Sequence, residues 1–186
     1  MSAGYSRLID SEPVQKALKK QKRITRIVSV ILVILPVIGF GIYGAVSGAM
    51  DVGKALVIGL VISAVFLLAA LISALRQKLE KPFEGTVVEK KRTIRLGDSR
   101  QRGGRSKIKC TIRFECEDGK RRKKEVPLDV FNYLNEGERV RYLPQFPRPY
   151  EKYDKRPDGE VMCMFCGRRN PLSEQNCSGC GNVLIK

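Results

Sequence analysis

The sequence predicts a membrane protein of the α+β class, built from a transmembrane helical hairpin, a small β-barrel and a cysteine-rich C-terminal module. Two uncharged blocks, Ile27–Met50 and Ala55–Leu75, predict the hairpin. Short runs of alternating apolar and polar residues between positions 83 and 153 predict the barrel. Two C-x-x-C pairs between positions 160 and 186 predict the third part.

Each apolar block is long enough to cross a bilayer as one helix, because both exceed the roughly 20 residues that a spanning helix needs. We place the hairpin at residues 27–75, with its two spans at 27–47 and 55–75. A cleaved signal peptide is a poor alternative, since its apolar core is shorter. Neither block contains Asp, Glu, Lys, Arg or His, which argues against an ion or substrate pathway.

Basic residues flank the hairpin on both sides and predict its orientation. The positive-inside rule places such flanks in the cytoplasm, so we expect a multi-pass protein of the cell membrane with both termini cytoplasmic. The same cations would contact anionic lipid headgroups. They are Lys16, Lys19, Lys20, Lys22, Arg23 and Arg26 before the first span, and Arg76, Lys78 and Lys81 after the second.

The basic N-terminal segment, residues 1–26, has two parts. Residues 1–10 show no apolar periodicity, so we expect them to be mobile. Ser11 is a suitable helix N-cap, and Val14 and Leu18 recur on one face after it. This pattern predicts a short amphipathic helix that lies on the membrane or continues into the first span.

Small residues within the spans have a spacing that allows helices to approach closely. Gly59 and Ser63 are one such pair, and Ala70 and Ala74 are another. We interpret them as packing the two helices of one hairpin together, in preference to a homodimer seam. A homo-oligomer is the alternative that this pattern leaves open.

Four or five short strands are predicted between residues 83 and 153, a number that suits a small β-barrel, our prediction, or a β-sandwich. A three-residue turn with Gly119 in the left-handed conformation would place Val126 opposite Cys110. A change in the parity of the apolar positions after the first strand indicates a β-bulge. Cys110 and Cys116 alternate with apolar residues and are predicted to lie in the core. The main strands are Phe83–Lys90, Lys107–Cys116, Lys120–Val126 and Glu138–Leu143.

Two motifs of this region carry a family resemblance. They are Gly85-Thr-Val-Val-Glu89 and Leu134-x-x-Gly137-x-x-Val140-x-Tyr142-x-Pro144-x-x-Pro147. The region resembles an uncharacterised bacterial β-barrel module that accompanies one or two transmembrane helices. The resemblance implies a small membrane-associated barrel and supplies no catalytic residues. The inserted loop 97–106 departs from the family pattern.

The C-terminal module carries the sharpest chemical signal. Cys163, Cys166, Cys177 and Cys180 form two C-x-x-C-G units. Two such units supply four thiolates, a ligand set that suits one structural zinc ion better than iron and leaves no open coordination position. The module resembles the short zinc ribbons of bacteria, including its Asn170 and Leu184. We therefore predict a C-terminal zinc ribbon at residues 160–186.

The sequence favours a non-enzymatic function. It contains no histidine, so the commonest general base is absent. We expect a membrane-anchored adaptor or regulator whose barrel and ribbon bind a protein partner of unknown identity. The alternative is a membrane-tethered nucleic-acid-binding protein that uses the basic loop 100–105 and a basic run. That run could equally contact the anionic membrane surface, and it consists of Lys120, Arg121, Arg122, Lys123 and Lys124.

Overall fold

The structure is a computed structural model that describes residues 4–47, 51–95 and 107–186. The predicted basic loop 100–105 lies outside these residues. The chain divides into two compact units. One unit comprises Met1–Gln15 together with Lys81–Lys186, and the other comprises Lys16–Glu80. The predicted barrel and ribbon segments therefore belong to the same unit.

Two long helices occupy the region of the predicted hairpin. Helix α1 spans Glu12–Ser47 and helix α2 spans Val52–Leu79. Both are long and apolar enough to cross a membrane. Helix α1 is continuous, so the predicted amphipathic helix runs directly into the first apolar block. Asp51 caps α2, because its carboxylate accepts a hydrogen bond from the Gly53 N–H at 3.1 Å.

Small residues hold α1 and α2 together, as the spacing predicted. A Cβ atom on Gly59 would lie only 3.0 Å from the Pro36 carbonyl oxygen, so α2 passes very close to the backbone of α1. One turn further along, the Ser63 hydroxyl donates a hydrogen bond to the Val33 carbonyl at 2.5 Å. The predicted packing within one hairpin is confirmed for this pair.

The other unit contains a five-stranded antiparallel sheet and a two-stranded one. The strand order of the larger sheet is β3-β2-β1-β4-β5, while β6 pairs only with β7. A short helix, α3, connects β3 to β4 and spans Leu128–Tyr133. The strands are β1 (Phe83–Arg95), β2 (Lys107–Cys116), β3 (Arg121–Val126), β4 (Arg139–Tyr142), β5 (Tyr150–Lys152), β6 (Glu160–Met162) and β7 (Arg169–Pro171).

The predicted β-barrel is wrong, because the larger sheet is open. Its edge strands, β3 and β5, do not pair with each other. Aromatic rings fill the space between the edges: Phe114 of β2 stacks on Tyr150 of β5 with ring centroids 5.4 Å apart. Closing a barrel would require the edges to approach to about 4.8 Å. Arg122 and Lys124 instead cover the gap, lying over the rings of Phe83 and Tyr142, respectively.

The predicted strand register is confirmed. Cys110 pairs with Val126 across β2 and β3, and Gly119 in the connecting turn has a φ of 72°. A bulge interrupts β1 between Val87 and Glu89, which is earlier in the strand than the position expected after Lys90. Both Cys110 and Cys116 are buried in the core, and burial raises the pKa of the Cys116 thiol.

Residues 4–11, which we call the N-terminal strap, pack against β5 and the residue that follows it. The Ser6 N–H donates to Glu151 Oε1 at 2.8 Å, and the Gly4 N–H donates to the Tyr153 carbonyl at 3.0 Å. The Glu151 carboxylate is buried and also accepts from Arg141 and Lys155. The expectation of mobility is therefore wrong for the described part of the strap. Its partners are distant in sequence, so local periodicity gives no sign of them.

Candidate metal centre

The two C-x-x-C-G units fold into equivalent turns. In the first, the Gly167 N–H donates to the Cys163 carbonyl at 2.9 Å; in the second, Gly181 donates to Cys177 at the same distance. Both glycines have positive φ angles, 82° and 71°, which only glycine adopts at no steric cost. Each turn therefore directs its two cysteine side chains to the same side. The hairpin of β6 and β7 brings the first turn opposite the second.

The structure brings the four predicted cysteines together. The Sγ atoms of Cys163 and Cys180 are 3.6 Å apart, and those of Cys166 and Cys177 are 3.5 Å apart. All four Sγ atoms lie within 4.8 Å of one another. Tetrahedral coordination with Zn–S bonds of ~2.3 Å would separate sulfur atoms by about 3.8 Å. The four thiols are free of disulfides, and their spacing fits one metal ion.

Polar groups around the sulfur atoms stabilise negative charge. Cys177 Sγ accepts from the Gly179 N–H at 3.3 Å and from the Asn170 side chain at 3.6 Å. Cys180 Sγ accepts from the Asn182 side chain at 3.3 Å. Donors of this kind orient metal ligands and tune their charge. The sequence singled out Asn170 by resemblance, whereas Asn182 has no comparable motif and was missed.

The pKa values of Cys163, Cys166 and Cys177 are shifted in different directions. Burial raises the pKa of Cys163 and of Cys166. Burial acts in the same direction on Cys177, but N–H donors at Cys180 and Gly179 outweigh it and hold the pKa of Cys177 at about 6. These donors favour the thiolate form of Cys177. The thiolate is the form of cysteine that binds a cation with a preference for sulfur ligands.

A metal ion bound at this site would have a structural role. Cys163, Cys166, Cys177 and Cys180 would be its ligands, and four protein sulfurs leave no position open for water or substrate. When bound, the ion cross-links the two turns. A segment of this size is too small to form a stable apolar core, so such a cross-link contributes directly to its folding.

Residues 160–186, which we call the four-cysteine module, are attached to the five-stranded sheet by a set of contacts. We call these contacts the ribbon interface. Phe165 packs edge-to-face on Phe146 with ring centroids 5.5 Å apart. The Arg148 N–H donates to the Met164 carbonyl at 3.0 Å, and Met162 joins the apolar core of the sheet. The contacts link residues separated in sequence, so their spacing carried no signal of the interface.

An ion pair lies directly beside the turn of the first C-x-x-C-G unit. Arg148 Nε is 2.5 Å from Asp129 Oδ2. A Cβ atom on Gly167 would lie 2.5 Å from the same carboxylate oxygen and 3.0 Å from Arg148 Nε. The first turn thus fits against α3 and the segment between β4 and β5 only because residue 167 has no side chain.

The predicted basic run is divided between the two faces of β3. Arg122 and Lys124 point toward the aromatic core, and Arg122 also pairs with Asp118 at 2.8 Å. Arg121 points outward and lies 3.6 Å from Glu115. Within the described part of the chain, the exposed side chains of Lys120 and Lys123 form no ion pair. The run is therefore not one continuous surface of five cations.

Known proteins add nothing to this geometry. Comparison with protein-family models, with curated proteins and with solved structures finds no match to this chain. The distances and donor groups of the four-cysteine cluster are therefore what identify it as a candidate metal site.

Proposed function

We propose that this protein is a membrane-anchored, non-enzymatic adaptor. In this proposal α1 and α2 cross the cell membrane as a hairpin, and both termini lie in the cytoplasm. The unit of sheet and four-cysteine module binds zinc and presents a surface to a protein partner. The zinc ion maintains the fold and takes no part in a reaction, because its four ligands fill the coordination sphere.

The exposure of the helices supports insertion into a bilayer. In the most apolar windows of the two helices, only 6% of the α1 residues and 17% of the α2 residues are buried. A core helix of a soluble protein buries most of its apolar surface. Leu35 and Val65, for example, are more than 60% exposed. A bilayer would cover these side chains.

The contacts of the N-terminal strap are the main support for the proposed hairpin. The strap precedes α1, whereas its partners Arg141, Glu151 and Tyr153 all follow α2. These contacts support a topology in which both ends of the helical region lie on the same side of the membrane. Two crossings give such a topology, and a single crossing does not. The strap also argues against a cleaved signal sequence, because cleavage after α1 would remove it.

Accessibility of introduced cysteines tests the topology. We expect a membrane-impermeant maleimide to label Val52→Cys in intact cells, because this position begins α2 on the outer side in the proposal. Ser173→Cys, an exposed position of the four-cysteine module, should react only after the membrane is opened. Wild-type protein supplies the background from the native thiols.

The opposite pattern would contradict the proposal in a specific way. Labelling of Ser173→Cys in intact cells would reverse the orientation and place the four thiols in an oxidising compartment. Recovery of the chain in the soluble fraction would exclude the membrane anchor altogether.

A further inference from the structure

Strands β1 and β2 extend beyond the rest of the larger sheet as a two-stranded arm. Strand β3 pairs with β2 only from Cys110 to Glu115, and β4 pairs with β1 only from Phe83 to Thr86. Residues 91–95 of β1 therefore pair with β2 alone, and residues 107–109 of β2 pair with β1 alone. We call these two segments the distal arm.

The distal arm has an apolar pair on one face. Ile94 of β1 lies directly opposite Ile108 of β2, so their side chains are neighbours on the same face. That face is the continuation of the core face of β2, where Ile112 is fully buried. Yet Ile94 is 56% exposed and Ile108 is 42% exposed. Within the described residues, nothing covers the pair.

Cations lie near this pair on both faces of the arm: Arg92 shares the face of Ile94, and Lys91 lies on the opposite face. Lys91 and Arg92 are exposed and precede Ile94 on the same strand. Within the described ranges neither of the two forms an ion pair. Lys109, next to Ile108, is paired with Glu125 at 2.8 Å, but both side chains are about half exposed, at 48% and 59%. The arm therefore combines two uncovered aliphatic side chains with uncompensated positive charge.

This combination matches the interface of an anionic bilayer. Aliphatic side chains favour the acyl region, while neighbouring lysines and arginines interact with lipid phosphates. Nucleic acid fits less well, because single-strand binding relies on aromatic platforms, and the described residues of the arm include no aromatic side chain.

We propose that the distal arm inserts into the headgroup region of an anionic membrane, with Ile94 and Ile108 against acyl chains and Lys91 and Arg92 at lipid phosphates. This inference rests on the proposed membrane anchor. It adds a second, reversible attachment that depends on lipid charge, which the helices alone would not provide.

Tryptophan reporters test the arm, because the chain contains no tryptophan. Full-length Ile108→Trp is reconstituted in nanodiscs with brominated acyl chains, made of phosphatidylcholine alone or mixed with phosphatidylglycerol. We expect a blue-shifted, quenched emission in the anionic mixture only. Val88→Trp is the matched control, since Val88 is 45% exposed on β1 but lies outside the arm. Its emission should stay solvent-like in both lipids.

Two further variants separate the possible failures. Phe66→Trp, within α2, should be quenched in both lipid mixtures; if it is not, the membrane anchor itself is wrong. If it is quenched while the reporter at position 108 is not, only the arm proposal is overturned. We also combine Lys91→Gln and Arg92→Gln with Ile108→Trp. The two glutamines should lower the ratio of inserted to free arm about tenfold. A reporter at 108 that responds to duplex DNA and not to anionic lipid would overturn the arm proposal in favour of nucleic acid.

Discussion

Gly167 and Gly181 follow equivalent cysteines and have similar backbone angles, but their surroundings differ. A Cβ on Gly167 would collide with Asp129 and Arg148, whereas a Cβ on Gly181 would meet nothing within 4 Å. Asp129 cannot simply move aside, because its carboxylate is held by Arg148. The pair of glycines therefore separates the effect of backbone conformation from the effect of the ribbon interface.

We expect Gly167→Ala to destabilise the protein more than Gly181→Ala does. Both substitutions place alanine at positive φ, which costs about 1 kcal/mol. Gly167→Ala also breaks the Asp129–Arg148 contact, so its total cost should reach about 2–4 kcal/mol. Thermal unfolding of the two variants in detergent measures the difference. Equal losses would show that the first turn does not press against Asp129 and Arg148.

At the scale of single residues, spacing in the sequence predicted the four cysteines and the left-handed turn at Gly119. Both features are local: a metal turn and a β-turn are each decided by a few adjacent residues. The Asp129–Arg148 pair and the thiol contact of Asn182 were not predicted. The ion pair joins segments that are distant in sequence. The contact of Asn182 depends on the direction that the turn gives to its side-chain amide, and no sequence motif predicts that direction.

At the scale of elements, the contact between α1 and α2 depends on the absence of side chains at its closest point. Gly59 faces the Pro36 carbonyl and the Val37 backbone, while a Cβ atom on Gly39 would meet nothing within 4 Å. Both lie within the apolar helices, so substitutions there change hydrophobicity equally. Only one of them changes the helix–helix distance.

Gly59→Leu should separate the helices, and Gly39→Leu should not. The new side chain at position 59 would meet backbone atoms that cannot rotate away, and it would also break the Ser63–Val33 hydrogen bond. Resistance of the detergent-solubilised protein to proteolysis, together with its unfolding temperature, provides the measurement. If Gly39→Leu proved equally disruptive, lipid or micelle packing would explain the result better than the helix contact.

The sequence pattern predicted helices and strands whose apolar residues recur many times. It did not predict whether the sheet closes into a barrel, because closure depends on contacts between side chains. Two apolar blocks predicted α1 and α2, and alternation predicted the main strands with the Cys110–Val126 register. The open sheet was not predicted, because the spacing of strands in sequence does not reveal whether their edges meet. The stacking of Phe114 on Tyr150 decides that question, and it joins strands that are not neighbours in the sheet.

At the scale of the whole molecule, the four-cysteine module and the larger sheet should unfold together. The ribbon interface buries Met162 within the core of the sheet. Lys152 adds a polar connection: this buried side chain in β5 pairs with Glu138 at 2.8 Å and with Asp158, ahead of β6, at 2.6 Å. Loss of structure in the four-cysteine module would leave these groups uncovered.

Removal of metal should therefore lower the stability of the larger sheet, although none of the four cysteines lies in that sheet. We expect a strong chelator to reduce the unfolding free energy of the sheet by about 2–4 kcal/mol, the usual cost of losing a well-packed apolar contact. Hydrogen exchange at Val140 of β4 reports on the sheet alone. Phe165→Ala should make exchange at this position less sensitive to the chelator. Unchanged exchange after complete metal removal would show that the two parts are independent.

The N-terminal strap has a consequence for the order in which the protein is made. The Ser6–Glu151 hydrogen bond joins residues 145 positions apart. At ribosomal rates of about 5–20 residues per second, the strap would wait roughly 7–30 s for its partner to emerge. In the proposed topology, both helices would enter the bilayer during that interval. Closure of the strap would then come among the last steps of biogenesis, and a nascent chain halted before β5 would leave its N-terminus open to proteases.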